Sequence, residues 1–443
     1  MQGAFQGKTG CRAITDSSGS GFQVQMKGKV VVIGGGMVGV CCAWFLLKRG
    51  WQVTLVERRE IGVETSYGNA GVITRGSILP LNNPRLWKSL PGYLGNHSAA
   101  VRYDPLYLAR HSWWLARFLA NARDEQTLRA AAALNELMTR ALPVHKALMQ
   151  EADVLPRLRE NGWLKLYRHA ERFDSSAYER RIYDHFGVGY QIVEREQIQA
   201  LEPALQPIFN KGILVTDTAS VDNPGAVVQA YAAAFVAQGG VIRQGTVTDA
   251  RQVGGEFVVS IQQGVNSFAE HTDQLVLAAG PWSNQLLKPY GWQLPICYER
   301  GSHYHYQPQA GVLPNRPFYD VESAYVMTPT DNGVRVTSGS HLLDIARQAE
   351  PVQLQQVLPR AQEALPLASQ PVSPLWQGNR PSTPDALPIL GALPGVPGVW
   401  LATGHQHVGF STGPVSARAL AALIDGEQPE FDMRPFSPSR FRF

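Results

Sequence analysis

The glycines between residues 34 and 39 have the spacing of a phosphate-binding turn. Gly34, Gly36 and Gly39 form the pattern G-x-G-x-x-G directly after the β-branched run Lys29–Ile33. Gly34 permits a tight turn, Gly36 lets backbone N–H groups approach a pyrophosphate, and Gly39 lets the following helix pack against the strand. A second strand-like run ends at Glu57, 23 residues after Gly34, where a carboxylate can accept hydrogen bonds from ribose hydroxyls. The sequence therefore predicts a dinucleotide site.

The residues that follow Glu57 favour one dinucleotide over another. A nicotinamide enzyme would more usually continue with alternating strands and helices, whereas residues 64–71 read ETSYGNAG, a small, polar loop with glycines. A bulky flat ring can lie against the backbone of such a loop. Residues 273–279 read as a buried strand that ends at Gly280, a second place where backbone could approach the ring. We therefore expect FAD, with an NAD-dependent enzyme as the alternative.

One arginine near the carboxyl end stands in a rigid loop. Arg380 lies in the segment WQGNRPSTPD, residues 376–385, which contains no acidic residue before Asp385. A rigidly held guanidinium can bind a carboxylate through two parallel hydrogen bonds. Arg380 is therefore a candidate anchor for a substrate carboxylate, and the alternative is a structural ion pair with Asp385.

The segment after a strand at residues 399–402 brings glycines, histidines and a helix together. It reads TGHQHVGFSTGP, and its last residue, Pro414, is expected in the first turn of a helix. The N-terminus of that helix, aimed at the pyrimidine end of a flavin, would stabilise negative charge on the reduced ring. His405 and His407 are compatible with structural and with catalytic roles, and no carboxylate spacing beside them predicts a metal site.

An uncharged run of 18 residues, 30–47, has the length of a membrane span. Glycines interrupt it at residues 34–36 and 39, and it divides into a β-branched strand and a helix. We therefore interpret the run as the βα unit that holds the pyrophosphate, and we expect no spanning helix.

The remaining chain alternates between α/β, helical and sheet-forming stretches. Residues 104–155 have helical periodicity and include Trp113 and Trp114, which we interpret as core packing or as a patch facing a membrane or partner. Residues 211–262 return to α/β character, residues 291–345 alternate like an antiparallel sheet, and residues 348–364 form a helix.

These elements predict an α/β fold in which a Rossmann-type FAD-binding domain is interleaved with an α+β substrate domain containing an antiparallel sheet. We assign residues 26–80, 211–290 and 376–443 to the FAD-binding domain. We assign residues 81–210 and 291–375 to the substrate domain, and we expect residues 1–25 to be a disordered extension.

Composition excludes several other classes of protein. The chain has 443 residues, of which 17% are charged, and a net charge of +4. The basic residues are scattered along the sequence, which argues against nucleic-acid binding. The four cysteines include the neighbours Cys41 and Cys42 and show no C-x-x-C spacing. Free, buried thiols in a reducing compartment are therefore expected rather than disulfides or a zinc site.

Five motifs taken together resemble one enzyme family. They are GGGMVG at residues 34–39, ETS with NAG between 64 and 71, AAG at 278–280, GNRPSTPD at 378–385, and TGH at 403–405 leading to Gly409. Over residues 29–443 the chain resembles the FAD-dependent D-amino acid dehydrogenases of bacteria, within the wider D-amino acid oxidase and glycine/sarcosine oxidase superfamily. Ala386 and Leu387 depart from the pattern, because the family often has a glycine after the aspartate.

The resemblance implies non-covalent FAD, since Cys297 is not in the linking context of the sarcosine oxidases. It also implies that Arg380 holds the substrate carboxylate and that Tyr325 helps it. In the mechanism that we expect, His303, His305 or His405 could take the amine proton. The cofactor contacts that we expect are Gly34, Gly36, Met37, Val38, Gly39, Glu57, Arg58, Thr65, Ser66, Asn69, Ala70, Gly71, Val247, Ala279, Gly280, Trp282, Gly378, Gly404, His405, Val408, Gly409, Phe410, Ser411 and Thr412.

The activity implied by the resemblance is oxidative deamination of a D-amino acid to the 2-oxo acid and ammonia. Hydride would pass from the α-carbon to flavin N5, and the electrons would pass to a quinone-type acceptor. The alternatives are an oxidase that uses oxygen on glycine, sarcosine or a cyclic imino acid such as hydroxyproline, and a non-catalytic FAD-binding subunit of a larger complex. We expect a cytoplasmic protein, with peripheral contact to the inner face of the cell membrane as a variant of this location.

Overall fold

The computed structural model describes residues 27–441, so the extension expected at residues 1–25 lies outside the described residues. The strands, numbered in chain order, are β1 (Lys29–Ile33), β2 (Gln52–Glu57), β3 (Val72–Thr74), β4 (Val101–Tyr103), β5 (Leu158–Arg159), β6 (Trp163–Tyr167), β7 (Tyr190–Glu194), β8 (Lys211–Val215), β9 (Thr218–Val221), β10 (Val241–Gln244), β11 (Thr246–Val253), β12 (Glu256–Gln263), β13 (Asn266–Thr272), β14 (Gln274–Leu277), β15 (Cys297–Tyr306), β16 (Phe318–Asp320), β17 (Tyr325–Thr330), β18 (Gly333–Leu342), β19 (Trp376–Ser382), β20 (Ile389–Ala392) and β21 (Val399–Thr403). The α-helices are α1 (Met37–Lys48), α2 (Arg85–Leu94), α3 (Pro105–Arg110), α4 (Ser112–Ala120), α5 (Asp124–Glu151), α6 (Ala177–Phe186), α7 (Arg195–Leu201), α8 (Pro224–Ala237), α9 (Ser283–Leu287), α10 (Val352–Ala364) and α11 (Gly409–Ile424).

A six-stranded sheet with the order β10-β2-β1-β14-β21-β20 forms the first half of the molecule. Its first five strands are parallel and β20 is antiparallel to β21. Helices α1, α5, α8 and α11 pack together beside it in one apolar core. Helix α1 is apolar on nearly every side because it is enclosed by these elements, with Trp44 fully buried. The uncharged run of the sequence is therefore β1 and α1, as predicted. Across residues 27–441, every helix is too short or too polar to cross a membrane.

A larger, mostly antiparallel sheet forms the second half. Its order is β19-β15-β18-β17-β16-β6-β8-β7, and β4 pairs with β18. Helix α10 packs on β17 and β18 over a second apolar core. The small sheet β11-β12-β13 packs against the six-stranded sheet, and the small sheet β3-β9-β5 lies against α5 and α11. The predicted α/β fold, with a Rossmann-type unit and an antiparallel sheet, is confirmed.

Three segments lie elsewhere than the assigned domain boundaries placed them. Strands β8 and β19 belong to the larger sheet, although both were assigned to the FAD-binding domain. Helix α5 was assigned to the substrate domain, yet it packs against α11 beside the six-stranded sheet. The amphipathic pattern of an element identifies its apolar face but does not identify the sheet that the face will cover.

The two neighbouring tryptophans differ in burial. Trp114 is buried, donates its Nε1–H to the carbonyl oxygen of Ser382 at 3.0 Å and stacks on Phe118. Trp113 is 41% exposed, and the guanidinium of Arg117 lies over its ring at 4.2 Å. Consecutive residues of a helix point in different directions, which separates the pair.

Candidate functional site

A cavity of about 920 Å³ runs from the glycine turn after β1 to the helices α2 and α4. The six-stranded sheet lines one end and the larger sheet lines the other. Of the residues predicted to contact cofactor or substrate, those that line this cavity are Gly34, Gly36, Met37, Val38, Glu57, Arg58, Thr65, Ser66, Asn69, Ala70, Val247, Ala279, Gly280, Trp282, Gly378, Arg380, Gly404, His405, Val408, Gly409, Phe410 and Ser411. The residues outside the lining are Gly39, Gly71, Thr412 and Tyr325.

The glycine turn forms a cradle that larger residues would fill. A Cβ on Gly34, whose φ is +115°, would lie 2.5 Å from the carbonyl oxygen of Ala278. A Cβ on Gly39 would lie 1.8 Å from the Gly34 carbonyl oxygen, so this glycine serves packing and not cofactor contact. A Cβ on Gly36 would meet only the Ser66 hydroxyl, at 3.2 Å, because Gly36 faces the cavity. The backbone of the turn is therefore open to a phosphate group.

A buried carboxylate closes the turn at the end of β2. Glu57 Oε2 accepts the N–H of Gly35 at 2.6 Å, and its Oε1 accepts the N–H of Arg59 at 3.0 Å. Next to it, the guanidinium of Arg58 stacks on the ring of Trp282 at 3.6 Å and pairs with Glu64 at 2.6 Å. This end of the cavity thus offers an acceptor for ribose hydroxyls and a flat lining.

Hydrogen bonds hold the loop of residues 64–71 in place. The Ser66 hydroxyl accepts the N–H of Met37 at 2.9 Å, which ties the loop to the start of α1. Asn69 donates to the carbonyl oxygen of His407 at 3.3 Å, and its side-chain oxygen accepts the N–H of Gly71 at 2.8 Å. Gly71 has φ +71° and approaches the carbonyl oxygen of Val221, so it shapes the loop without reaching the cavity.

Sequence reasoning missed Arg335, which supports this loop from the larger sheet. It is fully buried and donates to the carbonyl oxygens of Tyr67, at 2.8 Å, and Asn69. It also donates to His305 Nε2 at 3.1 Å. Burial lowers the pKa of Arg335 to about 10. The available signal was a charged residue between Val334 and Val336 in a strand whose neighbours are apolar.

Arg380 reaches the cavity from β19 without a carboxylate partner in hydrogen-bond contact. Its Nη1 lies 3.4 Å from the carbonyl oxygen of Gly339, and no ion pair of Arg380 occurs among residues 27–441. Asp385 pairs instead with Arg440 at 2.7 Å, so the structural alternative for Arg380 is wrong. Burial lowers the pKa of Arg380, and Glu299, opposite it on β15, counteracts this. The guanidinium remains available to a ligand carboxylate.

Tyr325 does not reach the cavity, and its expected role in binding the carboxylate is corrected. Its side chain is fully buried in the second core beside Phe318, and its hydroxyl donates to the carbonyl oxygen of Arg360 at 3.3 Å. The next residue of β17, Val326, lines the cavity. Successive side chains of a strand point to opposite faces of the sheet. Val326 therefore faces the cavity, and its neighbour Tyr325 faces the core.

The histidines considered as proton acceptors are weak bases. His405 lines the cavity and lies 3.1 Å from the Ser416 hydroxyl, and burial lowers its pKa to about 3. His305 is held between Arg335 and Ser373, and burial lowers its pKa to about 4. His303 stacks on the ring of Trp376 at 4.8 Å, and burial lowers its pKa as well. Because His303 and His305 lie outside the cavity lining, the expectation that they take the amine proton is corrected.

Helix α11 starts five residues earlier than predicted, so Pro414 lies inside the helix and not in its first turn. Proline has no N–H to donate to the carbonyl oxygen four residues before it, which here belongs to Phe410. His145 of α5, which is fully buried, lies with its Nε2 2.9 Å from that oxygen and donates to it. The first turn of α11 therefore stays intact, and Val408, Gly409, Phe410 and Ser411 line the cavity.

Two residues of the carboxyl-terminal motifs adopt a conformation that favours glycine. Ala386 has φ +61° and Gln406 has φ +51°. Ala386 is the position that departs from the family glycine, so the chain keeps the turn while it changes the residue. Gln406 donates from its side chain to the hydroxyl of Thr383 at 3.1 Å, which joins the two motifs.

The three cysteines of the described residues lie outside the cavity lining. Cys41, Cys42 and Cys297 are buried free thiols, and burial raises the pKa of Cys297 to about 12. Cys11 lies outside the described residues. In the described part of the chain, no group of three or more His, Cys, Asp or Glu side chains is arranged to hold a metal ion.

The residues that line the cavity fit FAD. The cradle around Gly36 would hold the pyrophosphate and Glu57 the ribose, while the loop of residues 64–71 and the start of α11 would enclose the flavin ring. Both halves of the molecule line this long site, which agrees with the interleaved fold.

Comparisons with known proteins agree with this geometry. Residues 29–423 match the DAO family, described as FAD dependent oxidoreductase. The chain is 30% identical over 423 residues to a D-amino-acid oxidase of Bradyrhizobium diazoefficiens, covering 93% of this chain and 98% of that protein. It is 30% identical over 419 residues to a D-amino acid dehydrogenase of Methylobacterium radiotolerans, covering 90% and 96%. The crystal structure of glycine oxidase from Geobacillus kaustophilus shares the fold, with a TM-score of 0.70, 20% identity, and coverage of 94% of this chain and 99% of that one. The chain belongs to the DAO family of FAD-dependent oxidoreductases.

Proposed function

We propose that this protein oxidises a D-amino acid to the 2-oxo acid and ammonia. The observation that carries the proposal is Arg380, a guanidinium that lines the cavity and has no carboxylate partner in hydrogen-bond contact within the described residues. A carboxylate is the ligand that such a group binds best. The names of the two relatives, a D-amino-acid oxidase and a D-amino acid dehydrogenase, support the choice of substrate.

The protein contributes position and a dry environment. Arg380 fixes the substrate carboxylate, and the buried Trp114 with Leu115 and Phe118 keeps water from the same part of the cavity. His405, with its pKa lowered to about 3, is neutral and a weak base at pH 7, so the substrate enters as the free amine without a strong general base. Bound FAD supplies the hydride acceptor for the α-hydrogen. Water then hydrolyses the imino acid to the 2-oxo acid and ammonia.

Anaerobic mixing of the FAD-loaded protein with a panel of D- and L-amino acids tests the proposal. We expect D-amino acids to bleach the flavin absorbance and L-amino acids to leave it unchanged. In Arg380→Met, loss of a charge-assisted pair worth about 1.5–3 kcal/mol predicts a rise in KM of roughly ten- to hundredfold, with FAD content unchanged. Arg434→Met, which removes an exposed arginine, serves as the control. An unchanged KM in Arg380→Met refutes the carboxylate role, and a flavin that no amino acid bleaches supports a non-catalytic subunit.

For the electron acceptor we propose a quinone. The alternative is oxygen, with glycine, sarcosine or a cyclic imino acid such as hydroxyproline as substrate, and the name of the structurally similar glycine oxidase favours that alternative. Release of hydrogen peroxide at a rate equal to turnover in air supports the oxidase. Turnover that depends on an added ubiquinone analogue, without peroxide, supports the dehydrogenase.

We also propose that the face formed by α2, α3 and α4 contacts the inner surface of the cell membrane. Four of its side chains are large, apolar and exposed: Trp87, Leu94, Leu106 and Trp113. Residues 85–123 carry six basic residues and one acidic residue. Basic charge is therefore concentrated in this segment, although the basic residues are scattered over the sequence as a whole. Apolar and basic side chains together bind anionic lipid surfaces.

Sedimentation with lipid vesicles tests this contact. The FAD-loaded protein is expected to sediment with vesicles that contain phosphatidylglycerol and to remain in solution with pure phosphatidylcholine. Trp87→Ser combined with Leu106→Ser should abolish the binding, whereas Val265→Ser, which changes a fully exposed apolar residue in the turn between β12 and β13, should not. Equal sedimentation of all three proteins would refute the assignment of this face.

A further inference from the structure

The cavity has a second cationic end beyond Arg380. Five polar residues from four elements line it there: Arg85 of α2, Lys165 and Tyr167 of β6, Glu179 of α6 and Tyr319 of β16. The roles proposed for Arg380 and for the cofactor cradle do not involve these five residues.

Only one of the two cations at this end forms an ion pair. Lys165 and Glu179 form a short ion pair, and Glu179 accepts a further hydrogen bond from the hydroxyl of Tyr183 at 3.0 Å. Burial alone would raise the pKa of Glu179, but Lys165 and Arg85 lower it, so this carboxylate stays charged. The half-buried guanidinium of Arg85, by contrast, forms no side-chain hydrogen bond or ion pair within residues 27–441.

The position of α2 explains why Arg85 faces the cavity. Along one side of this helix Arg85, Ser89 and Tyr93 line the cavity together with Leu86, Leu90 and Leu94. On its other side Lys88 is exposed. The apolar residues of α2 are concentrated on one side of the helix, yet none of its residues is buried. The reason is that this side covers the cavity and not a packed core.

The second cationic end and Arg380 belong to the same ligand space. His407 lines the cavity, and after burial the next causes that lower its pKa to about 4 are the charges of Arg380 and Lys165. The charges of both cations therefore act on the same imidazole ring. In this half of the cavity three cations, Arg85, Lys165 and Arg380, face two carboxylates, Glu179 and Glu299.

We propose that Arg85, with Lys165 behind it, binds a second carboxylate, so that the preferred substrates are acidic D-amino acids. This inference rests on the proposed function and names the substrate class. Arg380 holds the α-carboxylate and Arg85 the side-chain carboxylate, which fixes the substrate at two points and orients its α-carbon. A neutral side chain of the same size offers the half-buried guanidinium of Arg85 no charge-assisted hydrogen bond, so it binds less well.

Turnover of isosteric substrate pairs tests the inference. We expect kcat/KM for D-glutamate to exceed that for D-glutamine, or D-aspartate that for D-asparagine, by roughly ten- to hundredfold, the factor that a charge-assisted hydrogen bond provides. Arg85→Met should reduce this ratio at least about tenfold, mainly through a lower kcat/KM for the acidic substrate. Lys88→Met removes the same charge from the outer side of α2 and should leave the ratio unchanged. An equal preference for acid and amide, or an equal effect of the two variants, overturns the proposal.

A binding measurement separates this proposal from the proposed function. Glutarate and its monoamide cannot be oxidised as amino acids, and their binding is followed by the perturbation of the flavin absorbance. We expect glutarate to bind roughly tenfold or more tightly than the monoamide, and Arg85→Met to remove the difference. If no amino acid reduces the flavin but glutarate shows this preference, the proposed function fails and the second carboxylate site stands. If D-amino acids reduce the flavin but the two ligands bind equally, the second carboxylate site fails alone.

Discussion

Arg380 can turn toward the cavity because residue 301 on the neighbouring strand has no side chain. In the antiparallel pair of β15 and β19, Glu299 faces Arg380 and Gly301 faces Gly378. The guanidinium lies across the space above Gly301, where a Cβ would come within 2.4 Å of Nη2. Gly301 is therefore a positioning residue, since it acts on the substrate only through Arg380.

Gly301→Ala should displace the guanidinium without removing it. Because a Cβ cannot remain 2.4 Å from Nη2, we expect the KM for the amino acid to rise at least about tenfold, while kcat changes less and FAD content is unchanged. Gly92→Ala is the matched control, because a Cβ on Gly92 meets no atom within 4 Å. Steady-state kinetics of both variants measure the effect. Wild-type KM in Gly301→Ala would show that the side chain of Arg380 does not need this space.

At the scale of elements, a side chain of α5 supplies the hydrogen bond that a proline removes from α11. The proline inside α11 leaves the Phe410 carbonyl without its helical donor, and the imidazole of His145 on α5 supplies a donor at 2.9 Å. The other ring nitrogen lies 3.1 Å from the hydroxyl of Tyr231 on α8. One buried side chain thereby connects three helices behind the turn that encloses the flavin.

His145→Leu should destabilise the protein and weaken its hold on FAD. It leaves the buried carbonyl oxygen of Phe410 unsatisfied, which predicts a loss of about 1–3 kcal/mol in the free energy of unfolding. His145→Gln keeps a donor and should restore part of this loss. Chemical unfolding and FAD dissociation of the three proteins measure it. Equal stability of the Leu and Gln variants would show that the hydrogen bond contributes nothing.

At the scale of the whole molecule, features set by local sequence were predicted and features set by long-range packing were not. The turn at Gly34 and the strand that ends at Glu57 are visible in the sequence because each depends on a few neighbouring residues. Whether Tyr325 faces the cavity or the core depends on which side of the larger sheet the cavity lies, and this is set by long-range packing. Arg335 supports a loop more than 260 positions away, and its hydrogen bonds to Tyr67 and Asn69 leave no local pattern. The substrate end of the cavity was missed for the same reason, because Arg85 and Lys165 meet only in the folded chain.

The burial of neutral histidines throughout the molecule makes its stability depend on pH. Burial lowers the pKa of His145 and of His305 to about 4 and that of His405 to about 3, whereas the pKa of a histidine in the unfolded chain is about 6.5. Below pH 6.5 the unfolded chain therefore binds more protons than the folded one, and stability falls as pH falls. Each of these histidines contributes about 1.4 kcal/mol per pH unit between the two pKa values. Glu202, whose pKa is raised by burial, opposes this trend, and carboxyls with lowered pKa values such as Glu179 act only below the window.

We therefore expect the Tm of the FAD-loaded protein to fall between about pH 7 and about pH 5, over the window that the lowered histidine pKa values define. His305→Asn removes one titrating group, so the slope of its unfolding free energy against pH should decrease by about 1.4 kcal/mol per unit, even if the variant is less stable at every pH. Thermal and chemical unfolding across this range measure both quantities. A Tm that stays constant or rises toward pH 5 would mean that these imidazoles are already protonated in the folded protein, and hence that their surroundings admit water or a counter-charge.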